Sequence, residues 1–290
     1  MTRNNFAHQL MINLDDVILG TTQFPAMPQS ASRLAGLFAT QDWELEQVTE
    51  TVKLDPILTG RVLRAANSVA SGSACKIASV DLAAMRIGPG AILAMALGAA
   101  ARDRLDVALP CYGLSAGQLW RRSVTAALVI ECAQRHGCGA PPPDAFAAAL
   151  LRDIGVLILA GQMRPEVLEM LERARAEGGC NLTQSELEIL GVHHGEVGGL
   201  IARQWGLPEV IAEAIAFHHV PDEAPTEGGR ESAWFVALAD VVTQALESDV
   251  LEDFEPSSSV LMRMGLTVSR FRELAKDVSG RLEEVLARYD

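Results

Sequence analysis

The stretch Asp144–Gly161, DAFAAALLRDIGVLILAG, carries apolar side chains on nearly every side of a helix. A helix without a polar face has to be enclosed by other elements, so this segment predicts a multi-helical core built around it. Its centre nevertheless holds Arg152 and Asp153. Unpaired charges at that depth would cost several kcal/mol each, so both must meet partners or water. Either they tie neighbouring helices together as an ion-pair network, or they open into a polar pocket inside a bundle, where helix-borne ligands converge.

The rest of the chain is written in the same period. Leu45, Val48 and Val52 share one helical face, as do Leu58, Val62 and Ala66. Asp55-Pro56 is an N-cap followed by proline at the first helical position, opening a helix to about Asn67. Ser79 caps a short helix that stops at Gly88, and Pro89-Gly90 leads into the alanine-rich helix Ala91–Arg104. Further helices are predicted over about 115–136, 144–163, 165–177, 184–191, 195–206 and 208–219, with Thr183 and Glu186 at capping-box spacing. The three prolines at 141–143 make a stiff connection, and Pro221–Gly229 marks a last break before helices over about 231–247, 257–265 and 268–288. No strand pattern and no repeat of fixed period competes with these. The expected fold class is all-α, with a helical layer over about 20–110, a second helical core over about 115–220 and C-terminal helices.

Charge narrows the partners. Lys and Arg number 24 against 37 Asp and Glu, a formal net charge of −13, which repels phosphate backbones and anionic membranes. Nucleic acid and membrane are therefore disfavoured as partners. The N-terminus, MTRNNFAHQLMINLDD, lacks the basic-then-apolar order of a signal peptide. The apolar runs Ala91–Ala101 and Ala145–Ala160 fall short of a bilayer span, the first by its length and the second through Arg152 and Asp153. Five scattered cysteines, Cys75, Cys111, Cys132, Cys138 and Cys180, contain no CxxC pair and argue against a disulfide framework or a thiolate zinc site. A reducing cytoplasm is the expected compartment.

Four of the six histidines lie in two tandem pairs, His193-His194 and His218-His219. Adjacent helical residues point about 100° apart, so one member of each pair can face inward while the other faces solvent or a neighbouring helix. Imidazoles at such positions can ligate a metal, and the second pair sits at a helix end, where the dipole favours a cationic ring. Asp240, inside the apolar segment AWFVALADVVTQAL, is either a further inward carboxylate or a salt-bridged helix residue. A Walker P-loop, a dinucleotide fingerprint and His-Glu-x-x-His are absent from the sequence. Cys132, His136 and Cys138 lack a fourth partner for a metal site, and Met85 and Met95 read as core filler.

Several short motifs follow one another in a fixed order. They are Phe24-Pro-Ala-Met-Pro28, Leu54-Asp-Pro-Ile-Leu58 with Arg61-Val-Leu-Arg-Ala-Ala-Asn67-Ser68, and Lys76-Ile-Ala-Ser79 with Arg86-Ile-Gly88. Leu119-Trp120-x-x-Ser123, Ala149-Leu-Leu-Arg-Asp-Ile-Gly155, Glu196-Val-Gly198, Trp205-Gly-Leu-Pro208 and His218-His219 come next. In this order and spacing the chain resembles, over about residues 20–220, the HDOD domain, the HD-related output domain of bacterial signalling proteins. The resemblance implies an N-terminal extension (1–20) and an HDOD domain (21–225). That domain would divide into a helical subdomain (21–110) and an HD-like bundle (111–225), with C-terminal helices (226–290) completing the bundle. It also implies a cytoplasmic bacterial regulator, often tied to two-component or cyclic-dinucleotide signalling.

Related HD phosphohydrolases hold one or two divalent metals through a histidine, a His-Asp pair, further histidines and a later aspartate. The resemblance places these at Arg122, at Arg152-Asp153, at His194 with His218 or His219, and at Asp240. Two arginines thus stand where imidazoles would. A guanidinium has no lone pair to give and keeps its charge. At an effective dielectric of about 20, a unit charge roughly 4 Å from a divalent ion is repelled by about 8 kcal/mol. The expectation is therefore no metal, no cofactor and no catalytic residue, with Arg122 and Arg152 neutralising Asp153 and Asp240. The chain would then be a non-catalytic signalling module acting on a protein partner. Two alternatives stand beside it: a metal-dependent phosphohydrolase of a nucleotide or cyclic dinucleotide, and a receptor whose arginines hold an anionic nucleotide.

Overall fold

The computed structural model describes residues 14–39, 43–68, 77–163, 182–248 and 251–286. The chain before residue 14, the helix predicted over 165–177, Lys76, Cys75 and Cys180 lie outside the described residues. Among the described residues every regular element is helical, and strand-like pairing is confined to the isolated bridge Leu109–Leu114.

The first half comprises α1 (Leu14–Gln23), α2 (Gln29–Ala39), α3 (Leu45–Lys53), α4 (Pro56–Ser68), α5 (Val80–Ile87) and α6 (Pro89–Leu105). Local chemistry sets their starts. Asp55 Oδ1 accepts the amides of Ile57 and Leu58, both at 3.0 Å, and the Ser79 side chain accepts from Leu82. Gly88, at φ +81°, ends α5, and α6 begins at once on Pro89, where a missing N–H costs nothing. The two helices meet at 102°. Val48, Val52, Leu58, Val62 and Ala66 are buried as their spacing predicts, whereas Met85 points to solvent and fills no core.

The second half comprises α7 (Gln118–Ala133), α8 (Ala145–Leu151), α9 (Val156–Gln162), α10 (Leu182–Leu190), α11 (His194–Gln204) and α12 (Glu209–Ala216). It ends in α13 (Glu227–Glu247), α14 (Ser258–Met264) and α15 (Val268–Leu286). The long helix α13 is the hub: it packs against α7, α8, α12, α14 and α15. α15 also lies along α7, and α1 covers α9 and α11. One apolar core runs from Val17 to Leu282.

The segment predicted as one helix over 144–163 is divided. Between α8 and α9 the backbone tightens: Ile154, Val156 and Leu157 donate to the carbonyls three residues back, at 3.0–3.2 Å. Such tightening inside a helix re-aims its side chains. It also brings Gly155 against the start of α11, where an added Cβ would lie 2.0 Å from the His194 carbonyl oxygen and 2.6 Å from the Gly198 nitrogen. By length and hydropathy Ala145–Gln162 could cross a bilayer, contrary to the expectation from Arg152 and Asp153, yet 72% of it is buried inside the protein.

Gly155→Ala therefore forces two backbones apart and is expected to destabilise by more than about 2 kcal/mol in urea unfolding. Gly161→Ala, with nothing within 4 Å of its added Cβ, is expected to change stability by less than about 1 kcal/mol.

Candidate functional site

The tightened turn turns Arg152 and Asp153 into the interior, where Arg152 is 1% exposed. Each nitrogen of its guanidinium faces an acceptor. Nη2 lies 3.0 Å from Asp153 Oδ2, Nε 3.4 Å from Asp240 Oδ1, and Nη1 donates to the Arg122 carbonyl at 3.2 Å. Asp240 reaches in from α13, and Gln244, one turn further on, donates to its Oδ2 at 2.7 Å. Burial works against an ionised Asp153, but the neighbouring Arg152 and His194 outweigh it and hold the carboxyl below the usual range. Two carboxylates from distant segments are thus bridged by one buried cation.

The histidines converge on the same place. His194, at the start of α11, is gripped by the fully buried Glu186 of α10, whose Oε2 accepts both the backbone amide (2.9 Å) and Nδ1 (2.7 Å). Tyr112 donates its hydroxyl to the other Glu186 oxygen at 2.8 Å. Burial disfavours a charged ring, yet Glu186, with Asp153 and Asp240, lifts the pKa of His194 to about 9. Its Nε2 faces His219 Nε2 at 2.9 Å and Asp153 Oδ1 at 3.7 Å. Burial and the charged His194 push His218 and His219 well below 6.5, so both are neutral at pH 7. The cationic ring expected from the dipole at this helix end does not form, because desolvation outweighs it. His218 Nδ1 meets the Ile215 carbonyl at 2.7 Å, and its buried Nε2 has no partner among the described residues. His193 is spent on structure: its Nδ1 accepts the Gly195 amide and caps α11.

Arg122 lies on α7 at the rim. Its Nε and Nη2 hold Glu247 in a two-pronged ion pair at 2.5 and 2.7 Å. It makes no direct ion pair with Asp153 or Asp240, although its charge still helps to lower the Asp153 carboxyl; Glu247, at the end of α13, holds its guanidinium. These groups enclose a cleft of about 200 Å³, lined by Arg122, Arg152, Asp153, His194, His219, Asp240 and Glu247 together with Thr183, Thr243 and Gln244. His218 is the one sequence-identified position absent from that lining, although its ring packs on His194 and His219.

Glu186 and Glu247 are the site residues that sequence reasoning missed. Glu247 follows Asp240 by seven residues, two helical turns, a spacing that places both on one face of α13. Glu186 does not form the capping box expected with Thr183, since α10 starts at Leu182 and the carboxylate turns inward. Away from the cleft, His136 pairs with Asp277 at 3.0 Å, and Cys132 Sγ accepts from Arg135 and Arg281, so these groups are committed to the contact between α7 and α15.

Among the described residues, His194, His218 and His219 are the set whose ligand atoms approach within 4.8 Å and could surround a metal ion. An HD-type centre would also need oxygens of Asp153 and Asp240, and the Arg152 guanidinium sits on both. With His194 charged, its Nε2 has no lone pair to offer. The residues present do not fit a divalent ion at the His-Asp position.

A family model for the HDOD domain matches residues 24–221, so Asp240 and Glu247 fall beyond the matched stretch. A protein of uncharacterised function from Treponema pallidum (strain Nichols) is 24% identical over 206 residues, 70% of this chain and 39% of that protein. The chain thus spans well under half the length of that relative. A candidate phosphohydrolase of known structure from Shewanella amazonensis SB2B superposes with a TM-score of 0.68 at 20% identity, covering 95% of this chain and 98% of the other. An HDOD domain protein of unknown function from Geobacter sulfurreducens gives 0.66 at 22% identity, covering 96% and 98%. Likeness at these identities establishes the fold.

The histidines set the pH dependence. His194 binds its proton more tightly folded than unfolded, so its contribution is complete below about pH 6.5 and is lost as pH rises toward about 9. His218 and His219 fold neutral, so acidification below about pH 6.5 costs stability instead. Thermal unfolding across pH is expected to peak near 6.5, and His194→Gln is expected to flatten the alkaline limb.

Proposed function

The chain belongs to the HDOD family, and from that premise we propose that it is a non-catalytic signal-transduction module whose HD-type site is filled by its own arginine. Family and fold carry a regulatory or HD-like role. The finer reading rests on one observation: the Arg152 guanidinium lies between Asp153 and Asp240 with every nitrogen facing an acceptor. A divalent ion there would have to expel a buried guanidinium and strand it, at a cost of several kcal/mol. The module acts by contact with a protein of its signalling pathway in the cytoplasm, since a net charge of −13 repels nucleic acid and anionic membranes.

An anionic nucleotide fits this cleft poorly. Both arginines already hold carboxylates, and an incoming phosphate would face Asp153, Asp240 and Glu247. The phosphohydrolase reading has one observation on its side, the unpartnered His218 Nε2 beside two further imidazoles.

Elemental analysis of protein purified without chelator separates the two readings. No stoichiometric iron, manganese or zinc is expected, and no hydrolysis of bis(p-nitrophenyl) phosphate. Stoichiometric metal that is lost in His218→Ala would contradict the proposal.

Removing the internal cation should be costly: Arg152→Ala is expected to lose about 3–5 kcal/mol in urea unfolding, because it strands Asp153 and Asp240. Arg122→Ala, which breaks a partly solvated pair, is expected to lose no more than about 1 kcal/mol.

A further inference from the structure

The prolines at 141–143 lie in the connection from α7 to α8 and contribute no lining residue to the cleft. Gly137 and Gly139, at φ +91° and +80°, turn the chain out of α7, and the Pro142 carbonyl accepts the Ala145 amide at 3.1 Å as α8 begins. That bond needs only a backbone oxygen, which any residue supplies. Pro141 and Pro142 are partly buried and Pro143 is exposed. Asp144, which follows, is buried and accepts from Ser232 of α13. The fold uses the course of this connection but gives no reason for three consecutive rings in it.

Consecutive prolines do affect how the chain is made. When Pro142 ends the growing chain, the ring nitrogen of the incoming Pro143 must attack the Pro142 carbonyl carbon. The new C–N bond forms as the ester bond to the transfer RNA breaks, and the proton of the ring nitrogen passes to the departing hydroxyl. The attacking group is a hindered secondary amine, and the Pro141-Pro142 end is held at φ near −65°, so neither side adjusts freely to the attack geometry. The step is slow, and its position along the chain decides the consequence. An exit tunnel on the order of 100 Å long holds about 30 residues of extended chain, so a chain halted at Pro142 has emerged to about residue 110. That limit falls between the end of α6 at Leu105 and the start of α7 at Gln118.

The packing divides at the same place. α2 packs on α3 and α6, α3 on α4 and α5, α4 on α5 and α6, and α5 on α6, so five helices close on one another. They carry their own buried side chains, Leu34, Val48, Val52, Val62, Ala83 and Ala84. α6 makes the layer's main contact with α7 and α8. α7 itself is held by α8, α13 and α15, all synthesised after it, and α1 by α9 and α11. The apolar segments of α7 and α8, emerging beside an unfinished layer, would compete for its open core. We propose that Pro141-Pro142-Pro143 is a pause built into synthesis, placed so that α2–α6 pack together before α7 leaves the ribosome. Small domains fold at roughly 1 to 10⁵ per second and elongation adds about 5–20 residues per second, so without a pause α7 follows α6 within about a second. A halt of several seconds covers even the slow end of that folding range.

The test follows synthesis of the full chain in a translation system reconstituted from purified bacterial ribosomes and factors. Toeprinting is expected to show a ribosome stop with Pro142 at the end of the growing chain, matched by a transient peptidyl-tRNA band. Pro143→Ala, at an exposed position and checked for an unchanged thermal melt, is expected to lose both. Synonymous proline codons are expected to keep them, because the cause is the ring and not the codon. Brief protease treatment of the halted chains is expected to leave a fragment that spans α2–α6, and Val52→Asp, which places a charge in the buried face of α3, is expected to abolish it. Absence of the stop, a stop that survives Pro143→Ala, or one that vanishes with synonymous codons would overturn the proposal. So would halted chains digested up to the tunnel, or a fragment that Val52→Asp leaves intact.

Discussion

A guanidinium buried to 1% exposure is stable only where its surroundings hand it enough acceptors, and here they come from three segments. Asp153 is its neighbour in sequence, Asp240 projects from the hub helix α13, and the Arg122 carbonyl belongs to α7. The interaction therefore fixes the relative positions of α7, the α8–α9 turn and α13, three of the elements that wall the cleft. The charge balance of the cleft follows from it. With Asp153 and Asp240 neutralised by a permanent cation, the histidines are left to settle their protons among themselves and Glu186, which charges His194 and leaves His218 and His219 neutral.

This arrangement keeps the shape of a metal site while changing its chemistry. A metal centre draws its charge balance from solution and exchanges it; a side chain does neither. A cleft that balances itself has no need of an ion to fold, and its ligands are not free to polarise water. In the proposed reading, what the chain offers to a signalling pathway is its surface.

The parts of the fold legible in the sequence are those set by neighbours along the chain. Asp55 and Ser79 cap helices through amides two or three residues away, and Gly88 ends α5 by its own backbone angle. The apolar faces of α3 and α4 follow from spacing alone. The all-α class and the grouping of Arg152, Asp153, His194, His219 and Asp240 in one place were equally open to reading, the second through the family's order of motifs. What resisted reading was set by contacts distant in sequence. The tightened turn at Arg152–Gly155 depends on α11 pressing against a glycine, and no local pattern announces it. Glu186 acquires its role from Tyr112 and His194, neither of which shares its helix. The direct ion pair of Arg122 with Glu247 was not read, although the spacing of Glu247 from Asp240 would have shown it. The charge of His218 was misjudged because burial, invisible in sequence, outweighs the helix dipole.

The central claim is that a side chain occupies the place of a cation. Anomalous diffraction from crystals grown without added metal, collected at the iron, manganese and zinc edges, tests it most directly. The account predicts guanidinium density between Asp153 and Asp240 and no anomalous peak in the cleft. A peak ligated by those carboxylates and the His194, His218 or His219 rings, with Arg152 turned away, would contradict it.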